Sequence, residues 1–210
     1  MQRKRLVRVL AALAVASTVF FGVVVLALHV LNPEFSPVSA FISQYANGPY
    51  GTLASVSFFV QGLGLILLGV SLCLGVSRPG RSTVGLVILF VSGVNGLLYG
   101  VFPMDPAAHA PTTLSGTIHY WAGMFDFTLG VLYPFLLSHR FARDWRMADI
   151  HASALGLGIA VLVVSAVGWI VFAVGIAVDG LTQRTLTVLM SSWVLLVGIQ
   201  LATAPKYGSE

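Results

Sequence analysis

The sequence is poor in charged residues. Only 9% of its 210 residues are Asp, Glu, Lys or Arg, and 57% are hydrophobic, whereas soluble domains carry about 25% charged residues. A soluble fold of this size cannot bury so much apolar surface, so we expect part of the chain to face lipid. The net charge of +4 does not indicate nucleic acid, because the cations stand in short groups between apolar runs. We predict no nucleic-acid partner.

Cysteine and metal-binding motifs are also scarce. Cys73 is the only cysteine, which excludes an intrachain disulfide and a thiolate metal cluster. The chain contains neither H-x-x-x-H nor H-E-x-x-H, so no local pattern of metal ligands is present. It also lacks a P-loop, a Rossmann glycine pattern and a G-x-S-x-G element. We therefore predict no cofactor and no metal.

Six apolar segments are long enough to cross a bilayer, which takes about 20 helical residues. They cover residues 7–31, 51–77, 82–102, 118–138, 151–178 and 185–204. We predict an all-α polytopic membrane protein in which residues 1–210 form a single transmembrane domain, a six-helix bundle. The first segment follows a basic run, as in a signal peptide. Its apolar run exceeds the roughly 7–15 residues usual there, so we expect a retained helix.

The basic residues predict the orientation in the cell membrane. With the N-terminus inside, Arg184 is the only Lys or Arg on the outer side, and the other ten are cytoplasmic. This asymmetry follows the positive-inside rule and places both termini in the cytoplasm. The ten predicted cytoplasmic residues are Arg3, Lys4, Arg5, Arg8, Arg78, Arg81, Arg140, Arg143, Arg146 and Lys206.

The first outer loop predicts a short helix. Its prolines prevent a continuous helix after the first span. Val38, Phe41, Ile42 and Tyr45 then recur at i, i+3, i+4 and i+7, which forms an apolar stripe on one helical face. We expect this segment to lie at the membrane interface.

Ionisable residues inside apolar spans are costly and often mark function. His119 and Asp126 lie seven residues apart in the fourth segment and therefore on nearly the same helical face, about 10.5 Å apart along the axis. Ala122 and Gly123 lie between them, and Gly130 and Tyr133 are expected to continue that face. The small residues leave a groove that either receives a neighbouring helix or holds a ligand group.

Other spans carry polar residues at comparable depth. Gln61 lies in the second span, and Ser92, Asn95 and Tyr99 form one stripe in the third. Under the predicted topology these residues all lie in the outer half, which suggests a polar cavity open to the outer face. The alternative is that they join helices by hydrogen bonds. Gly96-x-x-x-Gly100 predicts a helix contact, within one chain or between two, so the oligomeric state stays open.

Two segments then show a resemblance. "HVLNPEFSPVSAFISQYANGPYG", and "FPMDP" followed by "TLSGTIHYWAGMFDF", resemble the prokaryotic membrane family catalogued as domain of unknown function 998. The resemblance implies about six spans and no known activity, and it draws attention to Asp105 and His119. Asp126 is not part of that pattern. The matching positions are Asn32, Pro33, Ser36, Pro37, Ser39, Ile42, Ser43, Phe102, Pro103, Asp105 and His119.

Three functions remain open at this stage. The first is binding of a membrane lipid or small amphiphile in the outer-half cavity. The second is an intramembrane lipid-modifying hydrolase whose candidate catalytic residues are Asp105, His119 and Asp126, with or without a metal. The third is a proton-coupled carrier that uses Asp126 and His119. The candidate ligand-binding residues are Gln61, Asn95, Tyr99, His119, Gly123 and Asp126.

Overall fold

A computed structural model describes residues 2–106 and 111–203 of the chain. These residues form seven α-helices and no strand. The α-helices are α1 (Gln2–Leu31), α2 (Gly51–Gly75), α3 (Thr83–Val101), α4 (Leu114–Thr128), α5 (Tyr133–Phe141), α6 (His151–Ala173) and α7 (Asp179–Thr203). Six helical segments, one of them the combined stretch Leu114–Phe141, are long and apolar enough to cross a membrane. The predicted all-α six-span architecture is confirmed.

The helix boundaries differ most from the prediction at α1, α6 and α7, and α6 ends at Ala173, five residues before the predicted end at position 178. Helix α1 begins five residues before the apolar run because its basic first turns are also helical. Helix α7 begins at Asp179, six residues early. Lys206 and the last residue of the sixth predicted segment, Ala204, lie outside the described residues.

The bundle has two ends that differ in charge. We call the end that carries Arg3, Lys4 and the α2–α3 and α5–α6 connections the basic end, and the opposite end the far end. The largest apolar core cluster lies towards the basic end, where Trp193 of α7 packs against Tyr133 and Phe141 of α5, with ring centroids 5.4 and 6.2 Å away. The Trp193 indole also donates a hydrogen bond of 2.7 Å to Ser138.

The sequence predicts one continuous helix for the fourth span, but the structure divides this span into two α-helices. A 3-10 turn over Gly130–Leu132 separates α4 from α5, and Pro134 stands in the first turn of α5. Proline cannot donate a backbone hydrogen bond and its ring crowds the preceding turn, so the regular α-helix ends before it. Gly130 remains on the Asp126 face, and Tyr133 is buried with its ring against Trp193.

The first far-end loop contains a short helix, but it is a 3-10 helix that covers only Ile42–Asn47. Val38 therefore lies outside it and is exposed. Ile42 and Tyr45 are buried in a cluster with α1 and α2 residues, including Leu28 and Ala54. The apolar stripe thus packs onto the bundle, because its large side chains reach the apolar ends of α1 and α2.

Helices α2 and α3 meet through glycines. A Cβ on Gly62 would lie 2.6 Å from the Gly93 oxygen, and one on Gly96 would lie 2.6 Å from the Gly62 Cα. A Cβ on Gly100 would meet Phe59 and the Ser55 oxygen of the same chain. Gly96-x-x-x-Gly100 therefore serves packing within one chain, in the manner of small-residue helix contacts.

Candidate functional site

Asp126 is the centre of a polar contact between α3 and α4. Its Oδ1 accepts hydrogen bonds from the Ser92 hydroxyl (2.8 Å) and the Asn95 amide (3.1 Å), and its Oδ2 accepts one from the Tyr99 hydroxyl (2.8 Å). Asn95 also donates to the Ala122 carbonyl at 3.3 Å. These hydrogen bonds join α3 to α4, so Asn95 and Asp126 lie together in the structure. All three donors to the carboxylate are uncharged.

The spacing of the donors explains this contact. Ser92, Asn95 and Tyr99 recur at i, i+3 and i+7 and so share one side of α3. Ser92 and Asn95 are buried. The glycines lie on another side of the same helix, where α3 approaches α2 closely. Helix α3 therefore has one glycine face and one hydrogen-bonding face.

His119 closes the far end of this contact. Its Nδ1 lies 2.9 Å from the Phe102 carbonyl at the end of α3, and since a carbonyl only accepts, Nδ1 carries the proton. In a neutral ring this leaves Nε2 as an acceptor. The imidazole is buried and lies against the Tyr99 ring, with centroids 4.8 Å apart. Tyr99 thus contacts both His119 and Asp126.

Gly123 provides open space on α4. A Cβ built there would meet no atom within 4 Å in the described structure. At about 100° per residue, Gly123 lies some 60° around the helix from Asp126 and some 40° from Phe127. Asp126 contacts α3, while the Phe127 ring lies 6.3 Å from Phe41 of the first loop and its carbonyl accepts from Ser165 of α6. Gly123 therefore lies between Asp126 and Phe127 around the axis of α4, on the side of this helix that also carries His119.

Gln61 is not joined to the Asp126 network by a hydrogen bond in the described residues. It lies on the core face of α2, and its Oε1 is buried with no hydrogen-bond partner there. A buried amide oxygen without a donor costs about 1–3 kcal/mol. Gln61 is adjacent to Gly62, which packs against Gly93 and Gly96, so it lies at a depth similar to Asn95.

Asp105 is held by hydrogen bonds at the start of α4. Its Oδ2 accepts from the backbone amides of Thr112 (2.6 Å) and Thr113 (3.0 Å) and from the Thr112 hydroxyl, and its Oδ1 accepts from the Thr113 hydroxyl at 2.6 Å. Thr113 is also the N-cap of α4 and accepts from the Gly116 amide. The Thr113 hydroxyl, followed by the two amides, lowers the pKa of Asp105 from 3.8 to about 2.

The three candidate catalytic side chains do not form a hydrogen-bonded set. Asp105 binds Thr112 and Thr113, His119 binds the Phe102 carbonyl, and Asp126 binds α3. Within residues 2–106 and 111–203, no group of three or more His, Cys, Asp or Glu side chains is placed to hold a metal ion.

A contact between the end of α4 and α6 was not expected from the sequence. The Phe127 carbonyl, at the end of α4, accepts from the Ser165 hydroxyl and the Trp169 indole of α6. These donors satisfy a carbonyl at a helix terminus, where regular partners are lost. In the sequence, Gly130 and Pro134 are the residues that indicate where α4 ends.

Arg184 ties the first loop to α1 and α7. Its guanidinium donates to His29 Nε2 (2.7 Å), the Ala40 and Gly180 carbonyls and the Tyr45 hydroxyl. His29 Nδ1 lies 2.6 Å from the Val25 carbonyl and donates to it, while Nε2 accepts from Arg184. As the one basic residue predicted on the outer side, Arg184 was the signal for such a contact.

Comparison with known proteins gives one family. Residues 9–200 match the model of a family described as "Protein of unknown function (DUF998)". The chain belongs to this family. No curated protein matches it, and no solved structure matches it. The family match covers nearly the whole chain and confirms the resemblance, but it supplies no activity.

Proposed function

We propose that this DUF998 protein binds a membrane lipid or small amphiphile, with the polar part of the ligand lying along the face of α4 formed by His119, Gly123 and Asp126. The observation that carries the proposal is the open space at Gly123, which lies between His119 and Asp126 along α4. Gly123 needs no small side chain for packing, since nothing lies within 4 Å of a Cβ there.

The chemistry of the two polar residues indicates the kind of headgroup. His119 uses Nδ1 on Phe102, so Nε2 is the atom left to accept a hydrogen bond. The Asp126 carboxylate also accepts, and its three α3 partners fix its position. A ligand between them therefore needs donors, such as the hydroxyl or ammonium groups of common lipid headgroups.

The surroundings suit an amphiphile. Large apolar side chains on α4 and α6 are exposed in the same half of the bundle, among them Trp121, Ile170 and Phe172. In a membrane these side chains face acyl chains. A ligand with a polar group at Gly123 and an apolar tail along α4 or α6 would contact both the polar residues of α4 and these apolar side chains.

The test is retention of lipid by a variant that fills the space. We expect the wild-type protein, reconstituted in nanodiscs of dioleoyl phosphatidylethanolamine and phosphatidylglycerol, to keep one tightly bound lipid in native mass spectrometry. Gly123→Leu should lower its occupancy at least tenfold. The matched control is Gly156→Leu on α6, where a Cβ likewise meets nothing within 4 Å, and it should retain the lipid.

Two results would refute the proposal. One is equal lipid retention by the wild-type and Gly123→Leu proteins. The other is a wild-type protein that retains no more lipid than expected for unspecific adhesion. A converted lipid among the released molecules would instead favour the hydrolase, which predicts chemistry as well as binding.

A further inference from the structure

A second candidate site lies at the basic end, away from Asp126. A pocket of about 330 Å³ opens between the first turns of α1, the end of α2 and the turn after α5. This volume falls at the lower end of the roughly 300–1,000 Å³ typical of small-molecule sites. Its charged lining residues are Arg3, Lys4, Asp144 and Arg146, and Val7, residues 74–77 and Trp145 complete the lining.

The charges of the pocket favour an anion. Asp144 is buried, and its two carboxylate oxygens accept from the backbone amides of Ser77 (2.7 Å) and Arg146 (3.0 Å). Its charge is therefore engaged by backbone groups in the pocket wall. Three cations, Arg3, Lys4 and Arg146, remain against this single carboxylate.

Arg146 is held in place independently of any ligand. One guanidinium nitrogen donates to the Gly75 carbonyl, and the group lies 5.1 Å from the Trp145 ring centroid. The backbone carbonyl of Arg146 accepts from Gln200 of α7 at 2.6 Å. A fixed guanidinium beside two exposed basic residues resembles the arrangement that binds phosphate groups.

The neighbouring surface is apolar, which distinguishes a lipid from a free phosphate. Below Arg3, the residues Leu6, Leu10 and Leu13 follow at i+3, i+7 and i+10 along one side of α1, and Leu6 and Leu13 are about half exposed. Trp145, also exposed at the pocket, is a side chain typical of the membrane interface. An acyl chain can therefore run along α1 from a headgroup in the pocket.

We infer that this pocket binds the phosphate headgroup of an anionic phospholipid, with its acyl chains along the Leu6–Leu10–Leu13 side of α1. Basic pockets between transmembrane helices are known places for anionic headgroups, and each nearby Lys or Arg contributes about 1 kcal/mol of attraction. The site is separate from the one proposed at Gly123 and uses different residues.

The experiment measures how the affinity of delipidated protein in detergent depends on the lipid headgroup, and it is repeated with Gly123→Leu so that the other proposed lipid site does not contribute. Dioleoyl phosphatidylglycerol and dioleoyl phosphatidylcholine are titrated separately and followed by native mass spectrometry. We expect tighter binding of phosphatidylglycerol to the wild-type protein. Arg3→Gln/Lys4→Gln should weaken that binding about tenfold or more and leave phosphatidylcholine binding unchanged.

A matched control separates the pocket from general surface charge. Arg5→Gln/Arg143→Gln removes two exposed cations from the same end that do not line the pocket, and it should change phosphatidylglycerol affinity less than twofold. An equal loss in both double variants would overturn the inference. Thermal melting establishes that all variants fold, as expected for exposed positions.

Competition with a soluble headgroup tests the role of the acyl chain. Glycerol 1-phosphate at millimolar concentration should displace phosphatidylglycerol only weakly, because it cannot use the α1 surface. If it competes at the affinity of the whole lipid, the pocket is a site for free phosphate compounds and the lipid assignment is wrong. Equal affinity for phosphatidylglycerol and phosphatidylcholine would also contradict the inference.

Discussion

Asp105 and Asp126 lie in the same half of the bundle, and both accept hydrogen bonds from uncharged groups. Asp105 receives two backbone amides and two hydroxyls from Thr112 and Thr113, and Gly116 packs against its carboxylate. Asp126 receives three side chains from another helix, and a nearby position on its own helix, Gly123, is open.

The two carboxylates differ in which segments they join and in whether the glycine beside them is packed. At Asp105 the partners belong to the same connection, the carboxylate is buried, and the small neighbour Gly116 is required by contact. At Asp126 the partners join two helices, and the small neighbour Gly123 is required by no contact. We therefore assign Asp105 to the start of α4 and keep Asp126 as part of the proposed binding face.

The largest effect is expected on removing the Asp126 carboxylate. Asp126→Ala leaves the donors of Ser92, Asn95 and Tyr99 without their acceptor, which should lower the free energy of unfolding by about 1–3 kcal/mol. Asp126→Asn keeps an acceptor oxygen and can donate to the Tyr99 oxygen, so its loss should be clearly smaller. Unfolding in mixed micelles measures both, and equal losses would show that the α3 hydrogen bonds do not hold Asp126.

An intermediate effect is expected from two glycine substitutions of identical size. A Cβ at Gly116 would lie 2.2 Å from Asp105 Oδ2, so Gly116→Ala must displace a carboxylate held by four hydrogen bonds. We expect the melting temperature to fall by about 3 °C or more. Gly123→Ala should raise it slightly, because alanine favours the helix and meets no clash. Similar shifts in both variants would remove the contrast between the two carboxylates.

The smallest effect is the pH dependence of stability that Asp105 contributes. Its pKa is about 2 in the folded protein and 3.8 without these partners, so it stabilises the fold above pH 3.8, and that stabilisation is lost as the pH falls towards 2. In melting curves between pH 5 and pH 2, Asp105→Asn should lose less stability than wild type. Asp149→Asn, at an exposed position of the basic end, should behave like wild type. No difference between the two variants would contradict this account.

Sequence reasoning succeeded where a helix repeats its own pattern. The spacing of Ser92, Asn95 and Tyr99 predicted one polar stripe, and all three contact Asp126. Length and apolar content likewise predicted six spans. These features depend on helical geometry alone, which the sequence specifies locally.

The remaining features depend on contacts between distant segments. Nothing local to Asp105 indicates that Thr112 and Thr113 occupy its carboxylate, and the basic pocket combines α1, α2 and the turn after α5. The break after α4 had a local signal in Gly130 and Pro134, but proline inside an apolar span is often tolerated in membranes. Periodicity therefore identified the faces of the helices but not their partners.

The 3-10 turn at Gly130–Leu132 also sets the angular relation between α4 and α5. A 3-10 helix advances about 120° per residue and an α-helix about 100°, so three residues overwind the chain by about 60°. Counted in this way, Tyr133 lies about 40° beyond Asp126 around the axis instead of about 20° before it, and its ring packs against Trp193 of α7. A helical wheel drawn through the break assigns α5 residues to the wrong azimuth, and designed changes in α5 should be placed on a wheel that starts anew at Tyr133.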